Sequence, residues 1–204
     1  RKNPDLEFHE LDANDLEDSF HASTFDLVTL LNVLEHTWIP NEARVLAQVW
    51  RVLKPGGTVL VTSAAFAALA RRHDRMAMSR RRHTLPRMRT LLEQAGFSSI
   101  RGTYFNLSST PLAWLSARWD AMHKEGQSYG SLRELSVPPR IINSGMKLLM
   151  AGERTIGRLF GRLPFGVSLL CAGQKPVEIP LPWDQPEPHR APCMAAKLRE
   201  EVCV

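Results

Sequence analysis

The sequence predicts an α/β fold in which helices cover both faces of a mostly parallel β-sheet. Two segments, Phe25–Leu31 and Thr58–Thr62, are nearly continuous apolar runs, as expected for strands that are buried on both faces. Between them, apolar residues recur at helical spacing over residues 41–53. Because strands and helices alternate along the chain, a doubly wound sheet is the predicted architecture.

Three further strands are predicted from shorter patterns. Residues 6–11 alternate apolar and polar side chains, and residues 99–105 and 167–173 are rich in apolar and β-branched side chains. The four residues Lys54–Gly57 are expected to form the turn that ends the first helix, because proline cannot continue a helix and glycine tolerates a turn. A second helix is predicted over residues 85–95 and ends at Gly96.

The last 100 residues follow a different pattern. Two amphipathic helical stripes predict a helical hairpin cap over residues 106–164, inserted before the last strand. Glu153 lies within the second stripe, where an acidic side chain needs a partner, and we expect an arginine of the cap. Residues 1–175 are thus predicted to form one domain, and the proline-rich residues 176–204 a mobile tail.

Composition and charge limit the possible functions. The 204 residues carry a formal net charge of +5, with eight arginines between positions 71 and 89. That cluster could bind an anionic partner or form a solvated face, and no nucleic-acid-binding motif accompanies it, so nucleic acid is not an expected partner. Three cysteines without a framework spacing favour a reducing, cytoplasmic environment, and their spacing predicts no metal site.

Three segments in order, FDLVTLLNVLEH, RVLKPGGTVLVTS and LLEQAGF, resemble landmarks of the class I S-adenosylmethionine-dependent methyltransferases. The resemblance implies a Rossmann-like sheet whose last strand is antiparallel. The segment HDRMAMSRRRHT is similar to a pattern HDxxxGHYRRYT found in methyltransferases of types 11 and 23, although Ser79 and His83 depart from it. TYFN and LPFGVSLL are also similar to that subgroup, so the resemblance covers roughly residues 5–175.

The resemblance implies S-adenosylmethionine as cofactor. Such enzymes begin with a strand and a glycine-rich turn that lets the backbone approach the cofactor, whereas this sequence has no glycine before Gly56. The sequence is therefore expected to be N-terminally truncated relative to the family, and the chain as given is expected to bind the cofactor poorly by itself.

Cofactor and catalytic residues are also implied by the resemblance. Asp12, with Ala13 beside it, matches the acidic position that accepts a hydrogen bond from the adenine amino group, the alternative being a loop cap. Asn32 and Val33 match the loop that borders the methionine part of the cofactor. His36, in the same loop, is a candidate general base, or else it lines the site passively.

Four residues after the third predicted strand are candidates for substrate binding: His73, Asp74, Arg81 and Arg82. Planar guanidinium groups suit a carboxylate or phosphate of the substrate. The alternative is a structural ion pair between Asp74 and an arginine. Both interpretations place these residues on the side of the sheet where open α/β folds bind ligands.

The function that follows is transfer of a methyl group to a small-molecule or lipid- or glycan-linked acceptor. The apolar stripes of the cap, with basic residues opposite, could also contact a membrane surface. A non-catalytic module that keeps the fold and binds a partner remains an alternative. A nicotinamide-dependent dehydrogenase is disfavoured, because the three segments are not its pattern.

Overall fold

The computed structural model describes residues 7–122 and 139–177. The helices are α1 (Leu16–Ser19), α2 (Glu42–Val52), α3 (Arg72–Met76), α4 (Leu85–Gln94), α5 (Thr110–Met122) and α6 (Arg140–Phe160), and the strands are β1 (Phe25–Leu31), β2 (Leu53–Ala64), β3 (Ser98–Phe105) and β4 (Ser168–Gln174). Two single 3₁₀ turns, Ala67–Leu69 and Leu107–Ser109, follow β2 and β3. The predicted tail beyond residue 177 lies outside the described residues.

The four strands form one sheet in the order β1-β2-β4-β3. β1 and β2 are parallel, whereas β4 runs antiparallel to both β2 and β3. The insertion of the last strand between two earlier ones, in the opposite direction, confirms the predicted single sheet with an antiparallel last strand. The predicted α/β fold of the Rossmann-like type is confirmed with it.

The predicted strand over residues 6–11 is wrong for the residues that the structure describes. Residues 7–11 adopt no strand, and in the described part of the chain β1 pairs with β2 alone. An alternating sequence becomes a strand only where a neighbouring backbone accepts its hydrogen bonds. Sequence periodicity predicts which side chains share a face. It does not predict whether another strand lies alongside to pair with the segment.

β2 begins earlier than predicted. The Lys54–Gly57 segment, expected to be a turn, is the first part of the strand, because a register shift between Phe25 and Leu27 accommodates it. Gly56 takes a φ of +80°, and its N–H donates to the Lys175 carbonyl at 3.0 Å. Glycine permits this left-handed conformation at little steric cost, so the chain enters the sheet without a separate turn.

The core lies between the sheet and helices α2 and α4. Val59 and Val61 of β2 pack with Leu46 of α2 and Leu92 of α4 in one buried cluster. The other face of β1 is open in the described part of the chain, since Leu27 and Leu31 are 56% and 62% exposed. For β1, the prediction of burial on both faces is therefore not met there.

Helices α5 and α6 lie between β3 and β4 in the sequence, as predicted for the cap. Glu153 of α6 accepts hydrogen bonds from the backbone N–H and the hydroxyl of Ser108, each at 3.0 Å. Among the described residues, Ser108 is thus the partner for which an arginine was expected. None of the described helices is long and apolar enough to cross a bilayer.

Candidate active site

Polar loops follow β1 and β2 at their carboxyl ends, where open α/β sheets bind ligands. Asn32, directly after β1, has a φ of 55°, a left-handed conformation that is uncommon outside glycine. Its backbone N–H donates to the carbonyl and the hydroxyl of Thr62, both at 3.1 Å, and that hydroxyl donates to the Asn32 side chain at 3.0 Å. β2 thereby fixes the first residue of the loop in a strained turn.

Asp12 lies exposed in a tight turn that contacts this loop. One Asp12 carboxylate oxygen accepts from the backbone and the side-chain amide of Asn14, both at 2.8 Å. The Asn14 side chain also donates to the Trp38 carbonyl at 3.0 Å. The structure therefore brings the Asp12–Ala13 turn next to the loop that carries Asn32, Val33 and His36. The cofactor roles of these residues stay predictions.

His36 is half-buried and its ring stacks on the indole of Trp38, with centroids 4.0 Å apart and an interplanar angle of 15°. Its Nδ1 atom is buried and has no hydrogen-bond partner among the described residues. The backbone of His36 forms an isolated bridge with Ser79, and the Thr37 N–H donates to the Met78 carbonyl at 2.9 Å. A buried ring nitrogen without a partner is uncommon in folded proteins and therefore marks His36 for attention.

Below this loop, a buried chain of side chains joins β2, α2 and the segment before α4. The Ser63 hydroxyl donates to the Glu35 carboxylate at 2.7 Å, and the Ala64 N–H donates to the same oxygen at 2.5 Å. His83 places Nδ1 2.8 Å from the Ser63 hydroxyl and contacts the Glu42 carboxylate through Nε2. This Glu35–Ser63–His83–Glu42 network fixes the backbone on both sides of His36.

Glu42 is buried yet charged. Burial opposes its ionisation, but hydrogen bonds and charge from His83 and Arg81 outweigh that cost and leave the pKa of Glu42 below its ordinary value. Arg81 lies 3.3 Å from the Glu42 carboxylate and donates to the Ile39 carbonyl at 3.0 Å. Arg81 therefore holds the His36 loop and the network together.

Asp74 and Arg82 form the structural ion pair that was the alternative to substrate binding. The Arg82 guanidinium contacts both Asp74 oxygens, at 2.8 and 3.0 Å, and donates to the Ala65 carbonyl at 2.9 Å. Burial raises the pKa of the Asp74 carboxyl, but hydrogen bonds and positive charge from Arg82 and Arg71 lower it by more. The pKa of Asp74 therefore lies below its usual range. The backbone of His73 lies in α3, and its side chain is outside the described residues.

Sequence reasoning missed Ser63, His83 and Glu42 as a connected group. Ser63 shares the buried face of β2 with Val59 and Val61, so strand periodicity marks it as inward-facing. Nothing local marks His83 and Glu42 as its neighbours, because 20 and 41 residues separate the bonded pairs. A polar residue at a core position is the one signal that could have identified the network.

The one cysteine that the structure describes, Cys171, is buried in the core. Burial raises the pKa of the Cys171 thiol to about 11, which keeps it protonated and unreactive near neutral pH. Within residues 7–122 and 139–177, no group of three or more His, Cys, Asp or Glu side chains is arranged to hold a metal ion.

A family model described as a methyltransferase domain matches residues 1–61, a segment that contains both the Asp12 turn and the His36 loop. A search among curated proteins gives no match.

Among solved structures, the phosphoethanolamine N-methyltransferase 2 of Haemonchus contortus with S-adenosyl-L-methionine is 19% identical, with 81% of this chain and 36% of that chain covered and a TM-score of 0.45. A SAM-dependent methyltransferase of Archaeoglobus fulgidus is 10% identical, with 82% and 66% covered and a TM-score of 0.46. The [4+2]-cyclase SpnF is 19% identical, with 82% and 56% covered and a TM-score of 0.42. The chain thus spans about one third to two thirds of the length of these proteins.

Proposed function

We propose that the protein is a class I methyltransferase that uses S-adenosylmethionine, because residues 1–61 match a family model described as a methyltransferase domain. Its acceptor is a small molecule or a lipid- or glycan-linked group. The observation that supports this proposal is that the Asp12 turn and the His36 loop, both within the matched segment, meet through the hydrogen bond from Asn14 to Trp38.

Methyl transfer mainly requires the protein to align the acceptor atom with the methyl group of the cofactor. S-adenosylmethionine supplies an activated methyl group on a sulfonium, so the protein has to hold the acceptor atom in line with it. In this proposal Asp12 accepts from the adenine amino group, and Asn32 with Val33 borders the methionine part. The unpartnered Nδ1 of His36 takes a proton from the acceptor or orients it by a hydrogen bond.

The proposal is tested by methyl transfer itself. The full-length protein is incubated with methyl-labelled S-adenosylmethionine and the separated small-molecule and lipid fractions of a cell extract. We expect label in one fraction, with an equivalent amount of S-adenosylhomocysteine released. Cofactor binding without label transfer to any fraction would instead support the non-catalytic alternative, a module that keeps the fold and binds a partner.

We also propose that α6 contacts an anionic membrane surface. The helix turns its apolar side away from the protein: Leu148 and Leu159 are each 75% exposed, and Leu149 is 54% exposed. Glu153, one turn after Leu149, bonds inward to Ser108 and marks the edge of this apolar side. The helix also carries basic residues away from this apolar face, namely Arg140, Lys147, Arg154 and Arg158, and the last three line a cavity against β3. An exposed apolar stripe on a basic helix is the pattern of interfacial helices that bind anionic lipid.

Vesicle flotation tests this contact. The protein should bind vesicles that contain phosphatidylglycerol and bind pure phosphatidylcholine weakly. Replacing Leu148 and Leu159 together by glutamine should lower partitioning by about tenfold or more, because each leucine would otherwise bury its side chain in lipid. The matched control is Leu27→Gln with Leu31→Gln, two exposed leucines of β1. Equal binding by the α6 variant and this control, or no binding by the unchanged protein, would contradict the contact.

A further inference from the structure

A cleft of about 600 Å³ opens beside the candidate active site. Its walls are the 3₁₀ turn after β2, helix α3, the segment 79–82 and the inner side of α5. Five arginines line it, at positions 71, 75, 80, 81 and 82, together with Asp74 and Asp120. The lining therefore carries an excess of positive charge.

The five arginines differ in whether their guanidinium groups already have partners within the protein. Arg82 is bound to Asp74 and to the Ala65 carbonyl, and Arg81 is bound to Glu42 and the Ile39 carbonyl. Both guanidinium groups line the cleft, but they are bound to partners within the protein. The remaining three, Arg71, Arg75 and Arg80, are the candidates for a ligand.

Arg71 provides a second, independent observation. Its Nε atom is buried and has no hydrogen-bond partner among the described residues. A guanidinium has five N–H donors and no acceptor, so an unpartnered buried donor costs free energy unless an anion or water binds it. The neighbouring carboxylate, Asp74, accepts from the Arg71 backbone N–H at 3.1 Å, whereas its side-chain partner is Arg82.

The cleft also adjoins the backbone of the loop that carries His36. Ser79 lines it and forms a backbone bridge with His36, and the Arg80 N–H donates to the Glu35 carbonyl at 2.8 Å. The cleft therefore lies beside the backbone of the His36 loop.

We propose that Arg71, Arg75 and Arg80 form a binding site for the anionic group, a phosphate or a carboxylate, of the methyl acceptor. That the bound anion is a methyl acceptor rests on the proposed function, whereas the existence of an anion site does not. Guanidinium groups bind such oxygens through paired, charge-assisted hydrogen bonds. The site would select anionic acceptors over neutral ones of the same size.

The test follows the Arg71 Nε–H signal by ¹H–¹⁵N NMR during titration with phenyl phosphate, benzoate and the neutral analogue benzyl alcohol. We expect saturable shifts with one or both anions and none with the alcohol. Arg80→Gln, which changes an exposed side chain, should weaken anion binding roughly ten- to a hundredfold. Arg89→Gln is the matched control, because it removes the same charge from an exposed arginine on α4 that pairs with Glu93.

The result that overturns the proposal is an Arg71 signal that does not respond to either anion, or equal weakening by Arg80→Gln and Arg89→Gln. Arg71→Gln gives an independent check through calorimetry, provided its thermal unfolding matches that of the unchanged protein. The experiment uses no cofactor. Cofactor binding is measured separately, by titration with S-adenosylmethionine. Anion binding by a protein that binds no S-adenosylmethionine would refute the methyltransferase proposal and leave the anion site standing. Cofactor binding without anion binding would do the opposite.

Discussion

Replacing Glu42 by alanine is expected to lower the free energy of unfolding by about 3–5 kcal/mol, because it leaves His83 and Arg81 without their buried counter-charge. Urea denaturation measures the change. Glu93→Ala is the control: it removes a carboxylate from an exposed pair with Arg89 and should cost about 0.5 kcal/mol or less. Similar losses for the two variants would contradict the role given to the buried network.

The same carboxylate predicts a pH dependence with a definite sign. The pKa of Glu42 is lower in the folded protein than its ordinary value of 4.5. Its contribution to stability is therefore fully present above about pH 4.5 and is lost as the pH falls through the folded-state pKa. The stability difference between the unchanged protein and Glu42→Gln should shrink over that range. A difference that grows on acidification would contradict the assignment.

Asp12→Ala and His36→Ala are expected to affect different steps. Removing the proposed adenine acceptor should weaken cofactor binding roughly five- to a hundredfold, from a lost contact of about 1–3 kcal/mol. Turnover at saturating cofactor should fall much less, since Asp12 would lie away from the reacting methyl. If His36 acts as a base, its removal should lower turnover by roughly 10²- to 10⁴-fold with near-normal cofactor affinity.

Cofactor affinity and saturated turnover, measured on both variants of the full-length protein, separate these roles. Asn14→Ala is a useful companion variant, because it breaks the link to Trp38 and removes one of two bonds to the Asp12 carboxylate, while the backbone bond from residue 14 remains. If Asp12→Ala leaves affinity unchanged within about twofold, Asp12 is the cap of its own turn, the role its bonds to Asn14 already perform.

The parts of the fold that the sequence predicted are those encoded by local periodicity. The apolar runs of β1 and β2 and the helical spacing of α2 each report burial within one element. The antiparallel direction of the last strand came from the resemblance. The strand order was not predicted, because no local pattern states that β4 lies between β2 and β3. The unpaired segment 7–11 shows the limit of such patterns, since pairing depends on a neighbour elsewhere in the chain.

The candidate site was predicted less completely than the fold. The loops after β1 and β2 were expected at one edge of the sheet, and the Asn14–Trp38 bond shows that the Asp12 turn joins them. Whether an arginine is already hydrogen-bonded within the protein depends on residues far away in sequence. Arg81 donates to the Ile39 carbonyl, and Arg82 donates to the Ala65 carbonyl. The family resemblance and the position after the third predicted strand selected Arg81 and Arg82, whereas the structure leaves Arg71 with the unsatisfied donor.

Direct calorimetric titration of the full-length protein with S-adenosylmethionine tests the central proposal most directly. We expect saturable binding at one site, competition by S-adenosylhomocysteine, and no binding of a nicotinamide dinucleotide. Absence of heat at ligand concentrations well above those that saturate such enzymes, from protein shown to be folded by its cooperative unfolding, would contradict the methyltransferase proposal.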